Sequence, residues 1–274
     1  MLDHGPLLST RHMKLLVAAA GLIALAGCPS HGNFKPPAAL PTAQDIVARL
    51  AKERGARKSF SAASTMDYWL GKDRVKGDVM VMGTDKRQVR FNGLDPTGGV
   101  LADMACNGNE FVFVDMKNNC QRTGPCNGDS IAQLLRVQLE PDDFLHLALG
   151  TPPVLEQATG SVSWDSNKGY ERVKLEGPGG KQTIVIDARD GRWDVVESEL
   201  VGSDGKTQWS VENRDFVAVK DESGVEHRLP GKTRFKSPQQ EQDLLVDWKE
   251  RRVNLEIDPA KFSVPVPAGL PGCP

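Results

Sequence analysis

The chain has 274 residues, a formal net charge of −2, 39% hydrophobic residues and 26% charged residues. That length and apolar content suit one large domain with a real core, or at most two small ones. A near-neutral chain with no basic patch argues against nucleic acid as a partner.

The first element is an apolar run, Leu15 to Leu25, with Met13-Lys14 ahead of it and Ala26-Gly27-Cys28 behind. The run is shorter than the ~20 residues needed to cross a bilayer. A short apolar core, basic in front and small behind, reads as a secretory signal peptide. The string Leu25-Ala26-Gly27-Cys28 resembles a bacterial lipobox. The resemblance implies cleavage before Cys28 and palmitate-type acylation of that cysteine. Residues 1–27 are then a lipoprotein signal peptide, 28–41 a lipidated cysteine with a proline-rich linker, and 42–274 a single exported domain. Pro29, rather than aspartate, follows the cysteine. By resemblance to the enterobacterial sorting rule, this places the anchor in the outer membrane, on its periplasmic face.

Thr42 reads as an N-cap for a helix from Ala43 to Arg54, with Ile46, Val47 and Leu50 at helical spacing and Gly55 as the stop. From Ser59 the period changes to two. Strands are expected at Ser59–Leu70, Arg74–Thr84, Lys86–Asn92, Val100–Cys106 and Glu110–Asp115, the last two joined by Asn107-Gly108-Asn109. Two short helices follow, one from Asp129 with Ile131, Leu134 and Leu135, the other from Pro141 to Leu149, ended by Gly150. Strands resume near Ala158–Ser166, Tyr170–Glu176, Gln182–Asp187, Trp193–Val201, Gln208–Val219, Glu226–Ser237 and Asp243–Ile257. Regular turn signals between them point to an antiparallel meander. A sheet that long must curl, because long flat edges invite aggregation.

Besides Cys28, the cysteines are Cys106, Cys120, Cys126 and Cys273. An even number in an exported protein suggests two disulfides, with three possible pairings. The favoured one joins Cys120 to Cys126 around a Thr123-Gly124-Pro125 turn and leaves Cys106 for Cys273. Metal binding is disfavoured, since the spacing is not C-x-x-C and no histidine lies nearby. No nucleophile elbow, zinc helix, Walker loop or dinucleotide fingerprint occurs, so no enzyme activity and no cofactor are expected. Asp142 and Asp143 sit at a helix start, where the dipole favours them. His146, among apolar residues, reads as a core or edge histidine, and His227 as a surface one.

Three stretches resemble the LolA/LolB-like family. The first is Val89-Arg90-Phe91-Asn92-Gly93-Leu94-Asp95-Pro96-Thr97-Gly98-Gly99-Val100-Leu101, like the strand pair bearing the protruding loop of LolB. The second, Asp129–Pro153, looks like two lid helices with a Gly/Pro stop. The third, from Asn254 to Phe262 and on to Gly269, looks like the final strand and exit of such half-barrels. The resemblance implies a mainly β (α+β) fold: a curled antiparallel half-open β-barrel of about 11 strands with a helical lid and an N-terminal helix. It also implies an apolar cavity with walls from Met66, Tyr68, Val79, Val81, Val89, Phe91, Met104, Phe111 and Phe113. The lid would supply Leu134, Leu135, Phe144, Leu145 and Leu147. In LolB a bulky apolar residue occupies the loop tip; here the tip is polar and Leu94 stands at the loop's start. The expected role is carriage or acceptance of a lipid or acylated lipoprotein, without chemistry, from a periplasmic carrier protein. The alternative is a structural subunit of an envelope complex.

Overall fold

A computed structural model describes residues 33–135 and 140–273, apart from the side chains of 133–135. The signal peptide and the acylation expected at Cys28 lie outside these residues, as do the side chains of Leu134 and Leu135. Helix α1, Ala43–Gly55, starts with a capping box: Asp45 N donates to Thr42 Oγ1 at 3.1 Å and Thr42 N to Asp45 Oδ2 at 3.0 Å. Among the described residues no helix is long and apolar enough to cross a membrane.

Six strands follow: β1 Ser59–Leu70, β2 Asp73–Thr84, β3 Gln88–Leu94, β4 Val100–Asn107, β5 Glu110–Asp115 and β6 Cys120–Pro125. Helices α2 (Gly128–Leu135) and α3 (Pro141–Ala148) come next. The chain continues as β7 Thr159–Asp165, β8 Tyr170–Gly177, β9 Gly180–Asp187, β10 Asp194–Val201 and β11 Thr207–Arg214. It ends with β12 Val217–Lys220, β13 Glu226–Leu229, β14 Lys232–Ser237 and β15 Gln242–Val253. Thirteen strands form one antiparallel sheet, ordered β6-β5-β4-β3-β2-β1-β15-β14-β11-β10-β9-β8-β7, and β12 pairs with β13 in a separate ribbon. The sheet is larger than the expected 11 strands and does not close. Relative to the strands placed from the sequence, β6 is the addition to the sheet, and the division of two long strands yields the separate ribbon. Residues 120–125 form a strand rather than a turn. The two long strands expected at 208–219 and 226–237 are each broken, because Asp215 takes a left-handed φ of 55° and Gly231 approaches it closely. Gly231 N donates to both Arg214 O and Asp215 O at 2.9 Å, and a Cβ on Gly231 would lie 2.5 Å from Asp215 O.

Cross-strand register carries one row of side chains over most of the sheet: Val75, Tyr68, Leu244, Phe235, Val211, Ser198, Ile184 and Val173. Both α1 and α3 pack on this face. Ile46 and Leu50 of α1 are buried against Val173, Leu175, Ile184, Ile186 and Val195. Leu145, Ala148 and Leu149 are buried against Phe60, Val81, Val89, Phe91, Met104 and Phe111. The opposite face of β4–β6 is covered by the C-terminal segment, where Val264 and Leu270 pack on Ala105, Val112 and Val114.

The disulfides are Cys106–Cys126 and Cys120–Cys273, which corrects the expected pairing. Cys120 opens β6 and Cys126 follows its end, so an extended strand of about 3.3 Å per residue keeps them apart. The tail instead runs beside β6 in a parallel bridge: Gln121 N donates to Pro271 O at 2.8 Å and Cys273 N to Gln121 O at 2.9 Å. One edge of the sheet is thus covered by its own chain and pinned covalently. Replacing Cys120 and Cys273 with alanine is expected to lower stability by about 2–5 kcal/mol in chemical denaturation. It should also uncover the β6 edge, seen as self-association in size-exclusion chromatography.

Candidate ligand-binding face

The link from β6 to β7 joins the two edges of the sheet, and α3 lies within it. Of the expected wall residues, Val79, Val81, Val89, Phe91, Met104 and Phe111 are buried in one cluster with Leu145. Met66, Phe113 and Phe144 are partly buried and pack against it. Tyr68 is half-buried on the same face, in the row between Val75 and Leu244. Leu147 turns to a different cluster, with Val211 and Phe235, against which Phe144, Trp209 and Leu244 also pack. Leu94 closes β3, half-buried. The following turn is built by Asp95, whose Oδ1 accepts from Thr97 N at 2.7 Å and Gly99 N at 2.9 Å.

The residues expected as cavity walls therefore meet as filled core. The open space lies one step further along the sheet, over β11, β14 and β15. A cavity of about 40 Å³ is enclosed by Phe144, Leu147, Ala148, Thr233, Phe235, Leu244, Val246 and Trp248. Next to it, a groove of about 430 Å³ runs between Leu155, Pro178, Leu200 and Trp209. The packed side chains of Leu147, Val211, Phe235 and Trp209 lie between the two. The cavity has the volume of a water or two; the groove falls in the size range of small-molecule sites. The groove's wall is fixed by Gln182, which is buried and fully used. Its Nε2 donates to Pro153 O at 2.7 Å and Ser198 Oγ at 3.0 Å, and its Oε1 accepts from Leu155 N at 2.6 Å. Sequence reading missed Trp209, Phe235, Leu244, Val246 and Trp248. The signal that could have found them is the apolar alternation 244, 246, 248 in the last strand.

Helix α3 is held at both ends by side chains from α1 and its exit. Arg54 Nη2 bonds Asp143 Oδ1 at 2.8 Å near the N-terminus. Arg57, itself buried, donates from Nη1 to Leu149 O at 2.7 Å at the C-terminus. Arg87 meets Glu140 Oε2 at 3.0 Å, and Glu140 Oε1 accepts from Gly128 N at 3.2 Å, so α2 and α3 share that anchor. Burial lowers the Arg57 pKa, and its neighbours Glu53 and Asp194 act against that. His146 is buried on α3, with Nδ1 3.4 Å from Thr151 Oγ1. Burial, then the charges of Arg54, Arg57 and Lys58, push its pKa down to about 3. His227, expected at the surface, is also buried and sits 2.9 Å from Asp221 Oδ2. All four described cysteines are in disulfides, which removes them as metal ligands or nucleophiles.

The chain thus builds one uninterrupted antiparallel sheet with helices and an apolar groove on one face. No protein-family model matches the sequence, and no curated protein matches it significantly. Solved structures do resemble it. A LolA superfamily protein from Nitrosomonas europaea superposes with a TM-score of 0.53 at 10% identity, over 82% of this chain and 99% of that one. A DUF1329 family protein from Desulfovibrio piger gives 0.52 at 11% identity, over 81% and 95%. The chain therefore has the LolA-like fold.

The folded-state pKa of His146 lies below its unfolded value of about 6.5. The unfolded chain takes up that proton first, so the stability tied to the neutral imidazole is present above pH 6.5 and lost as pH falls toward 3. Burial raises the Asp142 carboxyl and acts in the opposite sense, so a His146→Gln variant isolates the imidazole. The protection factors of amides over 141–149, corrected for the intrinsic exchange rate at each pH, should fall between pH 7.5 and 5 in the native chain, and distinctly less in the variant.

Proposed function

We propose that the protein binds an acyl chain of a lipid or lipoprotein between α3 and the sheet, as a membrane-anchored carrier or acceptor in the bacterial envelope. The chain enters along the Leu155–Trp209 groove and displaces α3 as a lid from Phe235, Leu244 and Trp248. The observation that carries this reading is an apolar groove and a small apolar cavity on one face of the sheet, the cavity bounded by Phe144, Leu147 and Ala148 of a helix of eight residues. Each buried methylene contributes ~0.8 kcal/mol, so a long chain can offset the lost contacts of so short a helix. The LolA-like fold supports the reading, as does the lipobox, which anchors the domain through Cys28 to the outer membrane. Binding is non-directional, so no catalytic group is needed.

The second reading, a structural subunit of an envelope complex, is favoured by one observation: the enclosed cavity is only about 40 Å³, too small for an acyl chain unless α3 moves. Two results separate the readings. Trp248 lines the cavity and Trp209 the groove, so a brominated fatty acid should quench tryptophan emission of the full-length protein in a saturable way. Phe144→Asp should abolish the quenching, whereas Arg57→Leu, which frees the C-terminal end of α3, should speed its onset. Absence of quenching with the native fold intact leaves the structural reading.

A further inference from the structure

The proline-rich segment after Cys28 reads as a linker, yet it is tied down within a few residues of that cysteine. Phe34 N donates to Ser166 O at 2.9 Å, and Trp164 Nε1 donates to Phe34 O at 2.9 Å. The Phe34 ring lies 5.1 Å from the Arg189 guanidinium and rests on Gly169, where a Cβ would come within 2.9 Å of the ring. The far end of the segment is fixed by the Thr42 capping box. Residues 34–42 are therefore a strap fixed at its two ends, Phe34 and Thr42, with residues 35–40 exposed between them. Phe34 sits at the β7–β8 turn, which lies at the opposite margin of the sheet from the β8–β9 and β10–β11 turns. Pro178, Gly179 and Leu200 of the groove lie at that second margin. Strands β8 to β11 are eight residues each, so the margins are separated by about 25 Å at 3.3 Å per residue.

We infer that the strap orients the protein on a lipid bilayer, with the Phe34 margin facing the membrane that holds Cys28 and the groove opening on the far side. This rests on the reading of Cys28 as acylated. From Cys28 to Phe34 is six residues, which reach at most ~20 Å. The β7–β8 turn is thus confined near the headgroups, while the groove stands a strand length further out. A ligand then reaches the groove from the aqueous side rather than directly from the anchoring membrane. The partner on the near side is the bilayer surface itself.

The test places a fluorophore at Asn167, in the β7–β8 turn, or at Ser203, in the β10–β11 turn, of the full-length protein. The protein is produced in a lipid-modifying bacterial host and reconstituted into phospholipid vesicles carrying a headgroup quencher. Both positions are exposed. The expected result is several-fold stronger quenching at Asn167 than at Ser203, with the contrast lost when Phe34→Ala and Trp164→Phe are combined. The Phe34 ring is 37% exposed, so this pair should leave the core intact; circular dichroism checks it. Membrane-bound protein with equal quenching at both positions overturns the strap while leaving acylation standing. Protein that does not partition to vesicles overturns the acylation reading, and the orientation with it.

Discussion

The pairing of the first strand with the last governs the rest of this molecule. Strand β1 binds β15 along nearly its whole length, from Phe60–Val253 to Leu70–Gln242. Each is also the end of a meander, so the pairing fuses two meanders into one sheet whose edge strands are β6, bridged by the C-terminal tail, and β7. Those edges are consecutive in the chain. The connection between them must cross eleven intervening strands, and it does so over one face, carrying α3 with it. The burial of the helix is shared between Leu145 on one side and Leu147 on the other.

From this constraint follows a division of the face into three parts. Under α3 the core is filled mainly by residues of β1–β5, with Val246, Trp248 and Val253 of β15 at its margin; under α1 it is filled by residues of β8–β10. Between them lie β11, β14 and β15, covered by neither helix in full. Part of that middle strip is closed with hydrogen bonds instead of apolar packing: Trp248 Nε1 donates to Thr233 Oγ1 at 3.0 Å, Thr233 to Asn213 Oδ1 at 2.9 Å, and Asn213 Nδ2 to Val195 O at 3.0 Å. Satisfied buried networks of this kind hold one geometry. The remaining apolar side chains of the strip are left with space beside them, and that space is the candidate site.

Much of this was legible in the sequence, because it is local. The capping box at Thr42, the full extent of β1 and β5, and the Pro141 start of α3 follow from short-range rules. What was lost depends on contacts distant in sequence. Residues 123–125 carry turn composition, yet they form a strand because β5 supplies their ladder partners, while the C-terminal tail bridges β6 at Gln121. That same tail takes Cys273 to Cys120, a partner 153 residues away. The β12–β13 ribbon escaped notice because Asp215, not glycine, takes the left-handed turn. Phe144 and Leu147 line the cavity as well as standing among the expected residues, whereas nothing local tells Phe91, in filled core, from Phe235, beside the cavity.

The most direct test of the account is photo-crosslinking of the full-length protein with a diazirine fatty acid, followed by peptide mapping. Acyl binding between α3 and the sheet predicts adducts on the Leu147, Phe235, Trp248 and Trp209 peptides, suppressed by excess unlabelled fatty acid. Adducts scattered over the surface and insensitive to competitor would contradict it and leave the curled sheet as a scaffold.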